Sequence, residues 1–274
     1  MKNFIFISPN FPENYWEFCV ELKNNGLNVL GIGDAPYGEL RQELKNSLTE
    51  YYKVNSMENY DEVYRACAYF AFKYGKLDWL ETNNEYWLIR DAHLRDDFNI
   101  NTGLKTDRID GIKYKSAMKK YYHEANVPVA RYHLVTNYDE GKAFLDEVGY
   151  PVVVKPDNGV GAYATYKVSN DEELKNFYNT KPDVTYIMEE FIEGTIVTYD
   201  GICNSKRDIV FETSHVFPDN VMDSVNKQLD MVYYSKREIP EDLKEMGRRV
   251  IKAFASNSRF FHLEFFRLTK AKRA

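Results

Sequence analysis

Residues 150–168 read YPVVVKPDNGVGAYATYKV. The β-branched run at 152–154 predicts a buried strand that delivers Lys155 at its end. Pro156-Asp157-Asn158-Gly159-Val160-Gly161 is turn-forming, and residues 164–168 predict a second strand. Glycines at 159 and 161 let backbone N–H groups approach an anion closely, and Lys155 adds a positive charge beside them. A Walker loop would lead into a helix and carry Gly-Lys-Ser/Thr, which this chain lacks. In protein kinases the lysine follows the glycines on another strand, whereas here it precedes them. An ordinary hairpin fits the same letters, so the segment has to be read with its surroundings.

Upstream, residues 112–125 predict one helix with Tyr114, Ala117, Met118, Tyr121, Tyr122 and Ala125 on a single stripe, closed by Asn126-Val127-Pro128. Lys115 lies off that stripe and is expected to be free for solvent or ligand. Short strands are predicted at 131–135, 186–191, 196–203 and 209–214, with helices at 139–148, 171–178 and 241–254. Near the end, Phe260-Phe261-His262-Leu263-Glu264-Phe265-Phe266 alternates, which places His262 and Glu264 on one face of a strand. A carboxylate buried there would need a neutralising partner, and a divalent cation is one. The first third alternates strands (4–8, 28–32, 78–82) with helices, the clearest at 61–74, and so predicts a parallel sheet. Ligands of such sheets sit beyond the carboxyl ends of the strands, here the loops 8–12 and 81–85. The first loop lacks G-x-G-x-x-G, which argues against a nicotinamide cofactor.

The order of a helix bearing Lys115, a strand bearing Lys155, a glycine loop, and Met188-Glu189-Glu190-Phe191-Ile192-Glu193-Gly194 resembles the ATP-grasp superfamily. The likeness covers residues 105–268. It implies a Rossmann-like pre-ATP-grasp domain at 1–105, α/β in class, followed by an α+β ATP-grasp domain at 106–274. It implies further that Lys115 and Lys155 act on the phosphates of ATP beside Asn158, Gly159 and Gly161. Adenine would lie along Glu189, Glu190, Phe191, Ile192 and Glu193, with the Glu190 carbonyl accepting from its amino group and the Ile192 N–H donating to its ring. Ile196 stands where many members carry a ribose-binding carboxylate, a departure for which Glu193 or Asp200 could substitute. Glu264 would be the first ligand of Mg²⁺ (or Mn²⁺). The family's second metal motif, Glu-x-Asn on the following strand, does not occur before Ala274, so the ATP-grasp domain is expected to be incomplete. The implied activity is ligation of a small-molecule carboxylate to an amine through an acyl-phosphate, and a homodimer is left open. Two alternatives stay open: carboxylase or carbamoyl-phosphate chemistry, and a nucleotide-binding fragment without turnover.

Composition restricts the rest. A net charge of −6 with no basic stripe argues against a nucleic-acid partner. The apolar run at residues 4–7 is too short for a signal or membrane segment. Three distant cysteines without CxxC spacing fit a reduced, cytoplasmic protein.

Overall fold

The computed structural model describes residues 1–159, 164–218 and 228–268. The chain divides into two compact units, Met1–Asp110 and Gly111–Ala274.

The first unit is built on a parallel sheet of β1 (Asn3–Ile7), β2 (Asn28–Gly33), β3 (Glu50–Lys53) and β4 (Trp79–Glu81), in the order β3-β2-β1-β4. All five residues of β1 are buried because both faces of the sheet are covered. The two-residue period sorts them. Phe4 and Phe6 pack with Cys19 of α1 (Trp16–Asn24) and Leu44 of α2 (Gln42–Ser47). Ile5 and Ile7 pack with Val63 and Phe70 of α3 (Tyr60–Tyr74) and Leu94 of α4 (Leu88–Asp97). Helix α3 begins where the Asn59 side chain accepts from the N–H groups of Asp61 and Glu62, and it stops at Gly75, whose φ is +85°. Strand β3 and helix α2 lie in a stretch without apolar periodicity: Glu-Tyr-Tyr-Lys is a half-exposed edge strand that gives no strong sequence signal. Arg95 is fully buried and donates to the carbonyls of Leu80 and Leu104 and to the Glu81 carboxylate at 3.1 Å.

The chain leaves this unit along α5 (Thr106–Lys113) and continues as α6 (Lys115–Glu124). The single helix expected at 112–125 is therefore broken at Tyr114, where the backbone is extended. The break has a cause remote in sequence. The α6 N-terminus has no capping side chain of its own, and Asp157 supplies the acceptors instead. Its main-chain carbonyl accepts from Lys115 N–H at 2.9 Å, and its carboxylate accepts from Ser116 N–H at 2.8 Å and Ser116 Oγ at 2.7 Å.

The second unit contains two antiparallel sheets. One has β5 (Tyr132–Leu134), β6 (Val152–Pro156), β7 (Tyr166–Val168) and β8 (Tyr186–Glu190), in the order β5-β8-β6-β7. Helices α7 (Tyr138–Val148) and α8 (Asp171–Thr180) supply Phe144, Leu145, Leu174 and Phe177 to its core. The other centres on β9 (Gly194–Cys203), flanked by β10 (Ile209–Thr213), β11 (His215–Phe217) and, along its whole length, β13 (Arg259–Leu268); β12 (Tyr234–Ser235) pairs with β11. Helix α9 (Glu241–Phe254) packs on this sheet, with Gly247 against Tyr199 so closely that a Cβ would stand 2.1 Å from Tyr199 Cδ1. Met118, Tyr121 and Tyr122 of α6 join the same core.

All three cysteines are free thiols in buried positions, Cys19 and Cys67 in the first unit and Cys203 in the second. Among the described residues, no helix is long and apolar enough to cross a membrane.

Candidate functional site

Strand β6 delivers Lys155 beside Glu189 of β8, because the register pairs Lys155 with Ile187 and Val153 with Glu189. The Lys155 ammonium binds Glu189 Oε2, and the Lys119 ammonium from α6 binds Oε1. Burial pushes the Glu189 carboxyl up, but the adjacent ammonium groups of Lys155 and Lys119 outweigh it and hold the group below its usual range. Lys119 is buried, with its ammonium 5.4 Å from the centre of the Tyr132 ring. The sequence reading missed it. Its signal was the four-residue step from Lys115, which puts both lysines on one face of α6.

Lys115, expected to be free for solvent or ligand, is instead engaged by the protein's own main chain. Its ammonium donates to the carbonyls of Pro156 (3.1 Å), Asp157 (3.4 Å) and Gly159 (2.6 Å), and so sits inside the turn that opens the glycine loop. Three carbonyl dipoles converge on it because the Asp157 cap draws the loop onto the start of α6. Asn158 is exposed and Gly159 half-buried beside it, while Gly161 lies outside the described residues.

At the hinge, β8 ends at Glu190, and Phe191, Ile192 and Glu193 connect it to β9 without regular structure. The Glu190 carboxylate is held by Arg131, whose Nη2 donates at 2.7 Å and Nε at 2.9 Å. Lys167 of β7 stands 4.3 Å over the Phe191 ring, a cation–π contact that the sequence did not announce.

Glu264 lies on β13 opposite Thr198, two residues from His262, which pairs with Asp200. The expected common face is present: His262 Nε2 is 3.6 Å from Glu264 Oε1, and its Nδ1 is 2.5 Å from Asp200 Oδ1. The expected burial is not. Phe261 and Leu263 take the core side of β13, which leaves the Glu264 side chain 58% exposed. Hydrogen bonding to Asp200 and Glu264 raises the His262 imidazole to about 10, so it is a cation at neutral pH. On the other side of Asp200, His215 Nε2 lies at 3.7 Å. Burial raises the Tyr122 phenol to about 12, and the carboxylates of Glu264 and Glu189 add to that rise. Both acids therefore neighbour one α6 side chain. Among the described residues, no group of three or more His, Cys, Asp or Glu side chains could hold a metal alone. An exposed hard oxygen donor such as Glu264 fits a cation that brings phosphate and water ligands with it.

Comparison with known proteins agrees with this geometry. Residues 112–258, more than half of the chain, match the family model described as "ATP-grasp domain". D-alanine–D-alanine ligase B of Clostridium perfringens is 37% identical over 87 residues, 31% of this chain and 29% of that protein. The L-amino acid ligase of Bacillus licheniformis superposes with a TM-score of 0.73 at 15% identity, covering 98% of this chain and 64% of that one. The ADP complex of N5-carboxyaminoimidazole synthetase from Staphylococcus aureus gives a TM-score of 0.75 at 15% identity, with 99% and 68% covered. This chain thus spans less than a third of the curated relative and about two thirds of the solved ones. The strand–glycine loop–strand, the lysine-bearing helix docked on it and the family match lead to one conclusion: the chain belongs to the ATP-grasp domain family.

Proposed function

We propose that this chain binds ATP between Lys115, Lys155 and the glycine loop on one side and the 189–193 hinge on the other, and that it serves ligation of a carboxylate to an amine. The observation that carries the reading is Lys115 inside the turn that opens the glycine loop and Lys155 near the end of the strand before it, beside a hinge that leaves the sheet after Glu190. Ammonium groups at a glycine turn suit a polyphosphate, and a hinge without regular structure suits a planar base read by main-chain groups. Asn158 and Gly159 contribute loop surface, and Gly161 is assigned to the same loop by sequence alone.

In the proposed reaction a substrate carboxylate oxygen bonds to the γ-phosphorus as the bond to the β-phosphate oxygen breaks, releasing ADP. An amine nitrogen then bonds to the acyl carbon, inorganic phosphate leaves, and the amine proton passes to solvent. Lys155 and Lys115 hold the phosphates and offset the charge that accumulates during transfer, which is the main protein contribution such chemistry needs. Mg²⁺, when bound, supplies further positive charge to the phosphate oxygens, and Glu264 would hold it together with the nucleotide.

The test is phosphate release from ATP in the presence of candidate acids and amines. Lys155→Ala is expected to lower the rate by about 100-fold or more with the fold intact. Unchanged turnover in that variant contradicts the reading. Stimulation by bicarbonate instead of by an amine would move the chain to carboxyl-phosphate chemistry.

A further inference from the structure

We infer that Lys119 is the standing counter-ion of Glu189, a positioning residue that allows Lys155 to change partners. The inference rests on the nucleotide reading of the same site.

Glu189 divides its carboxylate between two ammonium groups, Lys119 on Oε1 and Lys155 on Oε2. The two lysines are not equivalent. The Lys155 side chain is 27% exposed and stands where the glycine loop begins, whereas Lys119 is 10% exposed and is flanked by the Tyr132 ring. Lys155 is therefore the more accessible of the two to an arriving phosphate.

To bind phosphate, Lys155 has to release Glu189. A carboxylate this deeply buried is strongly disfavoured without a counter-charge. If Lys155 were its only partner, release would leave Glu189 stranded, and the ion pair would compete with the nucleotide. Lys119 removes that obstacle. The triad carries one net positive charge, so Glu189 stays paired with Lys119 while Lys155 turns outward. Glu189 in turn keeps Lys155 at the end of β6 until an anion arrives. Lys119 needs no contact with nucleotide, which fits its position one turn beyond Lys115 on α6.

The test is ATP affinity by titration calorimetry, with a thermal melt of each protein, for wild type, Lys119→Met, Lys119→Arg, Lys155→Ala and the double variant Lys119→Met/Glu189→Gln. Lys119→Met is expected to weaken ATP binding roughly 10- to 100-fold, since Lys155 is then the last partner of a buried acid. Lys119→Arg keeps the charge and should stay within about threefold of wild type. The double variant removes the acid with its counter-ion and should recover most of the lost affinity. That recovery would not follow if Lys119 only supported the fold. Should Lys119→Met fail to fold, the double variant carries the test, because it contains no unpaired buried acid. Affinity unchanged in Lys119→Met, or a folded double variant that binds no better than a triad without Lys119, overturns the inference. If Lys155→Ala also binds ATP like wild type, the nucleotide reading falls as well. If Lys155→Ala loses binding while Lys119→Met retains it, the inference alone falls.

Discussion

Glu189 is a buried acid whose state depends on two bases, and this makes it a probe of the second unit. Its folded pKa lies below the ordinary value of 4.5, so its contribution to stability is complete above that value and is lost as pH falls through the folded pKa. Glu189→Gln should therefore unfold less steeply than wild type in acid below about pH 4.5, while costing about 3 kcal/mol at neutral pH by leaving Lys119 unpaired. Denaturant melts of both proteins across that range check the sign; parallel slopes would contradict it. Asp157 permits a second test, since its carboxylate caps a helix that lies far from it in sequence. Asp157→Ala should cost about 1–2 kcal/mol and also weaken ATP binding, because the loop carbonyls that hold Lys115 lose their anchor. The place of Lys155 near the end of a strand was legible from the sequence because strand, lysine and glycines are adjacent. Lys119 was not, because what buries a lysine is its acid, and Glu189 lies 70 residues away.

Elements show the same division between local and distant causes. The β9–β10 hairpin and the ends of α9 follow from alternation and helical spacing, and the structure agrees with them closely. The break at Tyr114 does not follow from spacing, since the apolar stripe runs on across it and the acceptor that starts the second helix belongs to another strand's loop. On β13 the alternation correctly paired His262 with Glu264, but which face meets the core was decided by α9 and β9, on the side of Phe261 and Leu263. The tight seat of α9 is open to test. Gly247→Ala places a Cβ into the Tyr199 ring and should destabilise the second unit by about 2–3 kcal/mol, read as a lower denaturant midpoint. A neutral substitution would mean that α9 can shift outward.

For the whole molecule, ligand binding and stability are linked. ATP with Mg²⁺ at about 100 times its dissociation constant should stabilise the folded chain by about 2.7 kcal/mol. A midpoint rise of several degrees follows for a chain of this size. A melt that ignores ATP would contradict the proposed site. Lys155→Ala should abolish the rise.

The buried thiols add a means of following each unit separately. Burial raises Cys19 to about 12 and pushes Cys67 and Cys203 upward as well, so none offers a ready thiolate in the native state. Alkylating reagents should then leave the intact protein unmodified and mark only what has opened. Two labels would report the first unit and one the second, so peptide masses from a partly denatured sample would reveal which half yields first, without any engineered tag.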